Sequence, residues 1–149
     1  MDGAPHPELI FEIVAHCESP IELGTIDGGK ARMIPIIGGT VSGPKLSGEI
    51  MPGADWSIMR PSAGGGGVAT VEARYAIRAD DGTIVQIFNA ATTRISATRE
   101  DGVMMITTTR FIAPDGPHTW LNHGVYAGTL VPDLSGQSFS VKIGVFRLV

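Results

Sequence analysis

Nine polar or aromatic side chains fall in strand-like stretches between Pro35 and Asn122: Asp55, Trp56, Glu72, Arg74, Asn89, Arg110, His118, Trp120 and Asn122. Their types suit moving a proton beside a carbonyl. A carboxylate sheltered by apolar walls holds its proton more tightly, and a nearby arginine has the opposite effect, so Asp55 or Glu72 can serve as a base or be held as an anion. Arg74 and Arg110 offer planar donor forks for a carboxylate, enolate or phenolate oxygen, while Asn89 and Asn122 can orient a carbonyl. Histidine titrates nearest neutrality of all side chains, which suits His118 to proton return. The indoles of Trp56 and Trp120 supply flat apolar walls. The expected catalytic groups are therefore Asp55, His118 and Arg74, with Trp56, Glu72, Asn89, Arg110, Trp120 and Asn122 binding the substrate. Isomerisation, β-elimination, hydration or cyclisation of a small, largely apolar carbonyl- or phenol-containing molecule is within reach of this set and needs no cofactor.

Other chemistries find less support. The four histidines are dispersed at positions 6, 16, 118 and 123, without a His-x-His or His-Glu-x-x-His array, so no metal is expected. No serine sits in Gly-x-Ser-x-Gly. Gly38-Gly39-Thr40 is not a dinucleotide fingerprint, and Gly64 to Gly67 lacks the Lys-Ser/Thr that a phosphate cradle requires; it reads as a flexible loop or lid, as does Gly28-Gly29 beside Asp27. The lone Cys17 has no internal disulfide partner and reads as a small apolar filler.

At 149 residues the chain has the length of one domain, 1–149, able to bury roughly two thirds of the surface its unfolded form exposes. A net charge of −4 without a basic cluster argues against a nucleic-acid partner. No apolar run approaches the roughly 20 residues of a spanning helix, so no membrane partner is expected. Met1 to Glu8 carries acids, a histidine and prolines where an export signal would be basic and then apolar, and a cytoplasmic location is the expectation.

The elements that must position the nine residues are strands. Runs of β-prone residues end repeatedly in Gly, Pro, Asn or Asp, and helical periodicity is weak throughout. The spacing predicts strands at Glu8 to His16, Ala31 to Ile37, Lys45 to Met51, Asp55 to Arg60, Val68 to Ala79, Thr83 to Ala90, Val103 to Ile112, Thr119 to Gly128 and Ser138 to Leu148. Asp80-Asp81-Gly82 is the clearest hairpin turn, with its aspartates as turn formers. So many strands in one domain favour an antiparallel barrel, because closure removes exposed sheet edges.

Pro35 to Ile50 (Pro-Ile-Ile-Gly-Gly-Thr-Val-Ser-Gly-Pro-Lys-Leu-Ser-Gly-Glu-Ile) and Pro-Gly-Ala-Asp-Trp (Pro52 to Trp56) resemble the core signature of domain-of-unknown-function family 3237. Glu-Ala-Arg-Tyr at Glu72 to Tyr75, Asp-Asp-Gly-Thr-Ile at Asp80 to Ile84, Phe88-Asn89 and Trp-Leu-Asn at Trp120 to Asn122 follow in the same order. The chain departs from the family pattern before Trp120, where Thr107 to Arg110 passes quickly through Ala113 to Pro117 into His118. The resemblance implies an all-β fold, a single closed or nearly closed lipocalin-like barrel of about eight to ten strands, around a small-molecule ligand or substrate.

Strand alternation puts Glu72, Arg74, Ala76 and Arg78 on one face and Ala73, Tyr75 and Ile77 on the other, without saying which looks inward. An ordinary β-core would take Tyr75 and Ile77. The resemblance implies the reverse, with Arg74 facing the lumen and the apolar face packed against neighbouring structure or another subunit, so a homo-oligomer is an expectation. The same alternation groups His118, Trp120 and Asn122. A cofactor-free lyase, isomerase or cyclase is the leading reading; a non-catalytic small-molecule carrier and a structural subunit with a filled interior are the alternatives.

Overall fold

The segment Met105–Ile112 shows the rule that builds the molecule: its residues alternate strictly between buried and exposed, with Met105, Thr107, Thr109 and Phe111 turned inward. Such alternation fits a sheet with one dry face. The computed structural model, which describes residues 2–95, 104–133 and 139–149, contains nine strands. They are β1 (Pro7–Cys17), β2 (Ile21–Ile26), β3 (Gly29–Ser42), β4 (Gly48–Pro61), β5 (Gly67–Ala79), β6 (Ile84–Ile95), β7 (Met105–Ile112), β8 (Val125–Asp133) and β9 (Phe139–Leu148). All pair antiparallel in the order β1-β9-β8-β7-β6-β5-β4-β3, and pairing of β1 with β3 closes an eight-stranded barrel. The all-β, lipocalin-like architecture read from the sequence is thus the observed one. Among the described residues no helix is long and apolar enough to cross a membrane.

Three elements differ from expectation. Lys45 to Met51 and Asp55 to Arg60 are not two strands; Gly48–Pro61 is continuous, with an irregularity between Met51 and Ala54 absorbing the Pro52-Gly53 pair. β2 was not anticipated. It prolongs the path of β1 beside β3 after a break at Glu18, whose N–H still donates to the Pro35 carbonyl at 3.0 Å. Asp27 and Gly28 (φ 47° and 78°) make the tight two-residue turn of that hairpin, not a loose loop. Finally, Thr119 to Gly128 does not run as one strand. Thr119–Asn122 is a 3-10 turn, wound back because the Thr119 hydroxyl accepts from the Gly116 N–H at 3.0 Å and donates to the Gly116 carbonyl at 2.8 Å. The expected starts at Val103 and Ser138 lie outside the described residues.

The 3-10 turn plugs one end of the barrel. Leu121 is fully buried beneath it, and the Tyr126 hydroxyl donates to the carbonyls of Trp120 (3.1 Å) and His123 (3.0 Å). Below the plug, Phe11, Phe111 and Tyr126 meet edge to face with centroids 5.7 and 5.1 Å apart, amid Ile77, Val85, Ile87 and Val145. This half is a packed core. Leu121→Ala should cost about 2–5 kcal/mol by opening a cavity there; a lowered denaturant midpoint with an unchanged m-value is the expected measurement.

Candidate functional site

Toward the other end the packing gives way to a hollow of about 310 Å³ between the sheet walls. Its floor is set by register. Asp55 of β4 lies opposite Ala73 of β5, Ala73 opposite Asn89 of β6, and Asn89 opposite Thr109 of β7, so these four form one cross-strand row on the inner face. Two strand spacings separate the backbones of Asp55 and Asn89, roughly 10 Å, with only the methyl of Ala73 between them. Tyr75, two residues along β5, joins the same face, and Cys17 of β1 lines the hollow with them. The remaining wall is chiefly aliphatic, including Ile34, Ile36, Val71, Leu130 and Val141.

The polar groups here are unevenly satisfied. Thr109 Oγ1 donates to Asn89 Oδ1 at 2.8 Å. The Tyr75 hydroxyl, Asp55 Oδ1 and Thr107 Oγ1 are buried without a hydrogen-bond partner. Among the described residues no Lys, Arg or His lines the hollow. Burial among apolar groups therefore pushes the Asp55 carboxyl up to about 6, against a smaller opposing pull from the peptide N–H groups of Glu72 and Trp56. The Cys17 thiol is pushed up to about 11, by burial first and by the Asp55 charge second. Tyr75 is raised for the same two reasons, burial and then Asp55. Asp55 is thus the electrostatic centre of the hollow, felt by both neighbours.

Residues 5–148 match the model of the family described as "Protein of unknown function (DUF3237)". The chain belongs to that family. Among curated relatives, a UPF0311 protein of Rhodopseudomonas palustris (strain TIE-1) is 40% identical over 84 residues, 56% of this chain and 52% of the relative, so the match spans about half of the relative's length. A solved structure described as a beta-barrel like protein from Acinetobacter baumannii superposes with a TM-score of 0.81 at 27% identity, covering 100% of this chain and 99% of that one. The barrel is also similar to that of an enzyme from Penicillium herquei, with a TM-score of 0.68, 18% identity and 97% of both chains covered; at that identity the likeness shows the fold alone.

Of the nine residues singled out in this DUF3237 chain, the structure brings Asp55 and Asn89 together and places the others elsewhere. Arg74 does not face the lumen. It lies exposed on the outer surface, where Nη2 donates to Gln86 Oε1 at 3.1 Å and the guanidinium sits 4.9 Å from the Phe88 ring centroid, with Arg110 4.3 Å from the same ring. Trp56 (50% exposed) and Glu72 share that outer face. The reason is the parity of β5: turning Arg74 inward would expel Tyr75, Ile77 and Ala79 from the core and bury a guanidinium in their place. His118, Trp120 and Asn122 are at the plugged end, because a 3-10 turn does not alternate as a strand does. His118 Nε2 meets Asp81 Oδ2 at 2.9 Å and ties the plug to the β5–β6 hairpin. Asp81 also accepts from the Thr83 N–H at 3.0 Å, and the Thr83 contacts are the main reason its carboxyl is lowered, with His118 adding less. Trp120 lies under Lys45, 5.2 Å from the ring centroid. Asn122 accepts from the Ala113 N–H at 2.7 Å and donates to its carbonyl at 2.8 Å, a structural clasp. Tyr75, Cys17, Thr107 and Thr109 were not anticipated as site residues; the signal for Tyr75 was its parity with Ile77, which any apolar core would claim.

The raised Asp55 carboxyl has a stability consequence. Between about 3.8, its ordinary value, and about 6, the folded protein holds a proton that the unfolded chain has released, so stability falls as pH rises through that window. A shift of this size corresponds to at most about 3 kcal/mol above the window. Asp55→Asn should accordingly raise the melting temperature at pH 8 and leave it nearly unchanged at pH 4, as differential scanning calorimetry at the two pH values will read.

Proposed function

We propose that the barrel is a cofactor-independent enzyme that performs proton transfer on a small, largely apolar, carbonyl- or phenol-containing substrate, of the isomerase, lyase or cyclase type. The observation that carries this reading is one carboxyl group set in an apolar hollow, with no cationic partner among the described residues and pushed up to about 6 by burial. Such a group is a base at neutral pH, yet strong enough as an acid to return what it takes. A carboxylate paired with arginine would be a poorer base.

Asp55 removes a proton from the carbon next to a carbonyl, the C–H electrons pass into the carbonyl as an enolate, and Asp55 becomes neutral. The neutral acid then delivers the proton to another carbon of the same substrate, which is isomerisation, or a group departs from the β carbon with its bonding pair, which is elimination. A phenol can be treated the same way: the O–H gives its proton to Asp55, the oxygen adds to a C=C conjugated with a carbonyl in the same molecule, the π pair passes to the carbonyl as an enolate, and the neutral acid returns the proton to carbon. No histidine lines the hollow, so the proton leaves and returns through a single carboxyl. Asn89, its amide held by Thr109, orients the carbonyl across the gap above Ala73. The likeness to the Penicillium herquei enzyme supports the reading only in that this fold serves an enzyme.

Catalysed exchange of the α-protons of 2-tetralone in deuterated water, followed by NMR, tests the proposal. The wild type should exchange them faster than buffer does, with kcat/KM rising through about pH 6 and level above. Asp55→Asn should lower kcat by about 10²-fold or more, the usual contribution of a general base, whereas Arg74→Gln, on the outer face, should leave the rate unchanged. Binding of 2-tetralone without faster exchange, equal in wild type and Asp55→Asn, would make the barrel a carrier.

A further inference from the structure

We infer that the Tyr75 hydroxyl and the Asn89 carboxamide form an oxygen-binding pair in the hollow, and that its ligand is a neutral phenol or enolisable ketone whose negative charge, once formed, rests on oxygen. This rests on the reading of the hollow as a proton-transfer site and names the substrate class and a further residue for it.

Three observations meet at this pair. Tyr75 is 4% exposed and its hydroxyl has no partner, a loss of about 1–3 kcal/mol for a buried polar group that phenylalanine would avoid in the same space. Asn89 is 2% exposed, and its Oδ1 is occupied by the Thr109 hydroxyl, which fixes the flip of the amide; Nδ2 has no hydrogen bond among the described residues. Both groups are thus donors without acceptors. The third observation is the space kept behind them. A Cβ on Gly128 of β8 would lie 2.4 Å from Thr107 Oγ1, 3.1 Å from Thr109 Oγ1 and 3.5 Å from Asn89 Oδ1, so only glycine leaves room for both threonines where they stand, Thr109 among them holding the amide.

The charge inventory selects the ligand. Asp55 repels an anion, and among the described residues the wall offers no cation to receive a carboxylate or phosphate, so the substrate enters neutral. After Asp55 has taken its proton the carboxyl is neutral and the charge sits on the substrate. Neutral donors are what remains to meet it, as in other sites that stabilise an oxyanion. Tyr75 keeps its own proton throughout, since burial and Asp55 both oppose its ionisation. The register separates the two tasks: Asp55 stands on one side of Ala73 and Asn89 on the other, so a substrate ring lying over that methyl presents its reacting position to the carboxyl and its oxygen to the donors.

The test uses 4-nitrophenol, whose absorption reports both binding and ionisation, with the full-length Asp55→Asn protein, in which no carboxylate competes with a bound anion. This variant should bind the probe as its phenolate. Adding Tyr75→Phe should weaken binding about tenfold or more, the worth of one hydrogen bond to a charged acceptor, and shift the bound probe toward its neutral absorption, without lowering the melting temperature. Thr109→Val should weaken binding by freeing the amide to flip, and Thr109→Ser should restore it. Binding and ionisation indifferent to Tyr75→Phe, or no binding of 4-nitrophenol by Asp55→Asn, would overturn the assignment. The 2-tetralone assay reads Asp55 separately. Exchange that needs Asp55 alongside probe binding indifferent to Tyr75 removes the donor pair and keeps the base, and the opposite pattern keeps the pair and removes the base.

Discussion

Closing a sheet on itself forces every strand to commit one of its two faces to a space that water reaches poorly, and this commitment governs everything else in the molecule. Side chains alternate without exception along β7, and nearly so along β5 and β6, so one decision about parity places a whole strand. For β5 the decision is made by Tyr75, Ile77 and Ala79, whose burial outweighs anything Glu72, Arg74 and Arg78 could gain inside. The arginines are left to stack on Phe88 in solvent. Among the described residues one carboxyl, Asp55, crosses to the apolar side, and its raised proton affinity shows what the crossing costs.

The fold was legible because its signals are local. Asp81 and Gly82 mark a turn whatever surrounds them, and Gly82 does adopt positive φ (88°) while Asp81 caps Thr83. The alternation of Val71 to Ala79 likewise needs no tertiary information to be seen as a strand. The site was legible only in part, because its geometry is non-local. That Asp55, Ala73, Asn89 and Thr109 form a row depends on four strands pairing in one register, and a shift of one residue would put Trp56 or Phe88 there instead. The resemblance of Glu72 to Tyr75 to a family signature located the right strand and the wrong face. His118, Trp120 and Asn122 do not share a strand face for another reason: a strand period does not hold in a segment that Thr119 winds into a 3-10 turn.

The two ends of the barrel divide stability from chemistry. At the plugged end most polar atoms are occupied, Asn122 with Ala113, Tyr126 with two carbonyls and His118 Nε2 with Asp81, although His118 Nδ1 is buried without a partner. At the hollow end Asp55 Oδ1 and the Tyr75 hydroxyl are unpartnered. Folded proteins satisfy most buried polar atoms, so a cluster of unsatisfied ones beside a cavity is the more telling observation. Tight packing of Phe11, Phe111 and Tyr126 offsets what the hollow forgoes, and it supplies the rigid frame against which an unpaired carboxyl can be held in place.

The outward turn of Arg74 is also what makes the hollow chemically plausible. Had the guanidinium faced the lumen, it would have lain on the same strand face as the neighbours of Asp55 and pulled that carboxyl below its ordinary range, giving a stable ion pair with little appetite for a proton. A cation would also have invited carboxylates and phosphates into the barrel. With arginine outside, burial outweighs the pull of the Glu72 and Trp56 peptide N–H groups and pushes the carboxyl up to about 6, and the task of meeting negative charge falls to neutral donors, which can stabilise an oxyanion without lowering the basicity that produced it. The parity that buries Tyr75 and exposes Arg74 therefore fixes the strength of the base and the charge of the molecules it can act upon in a single choice.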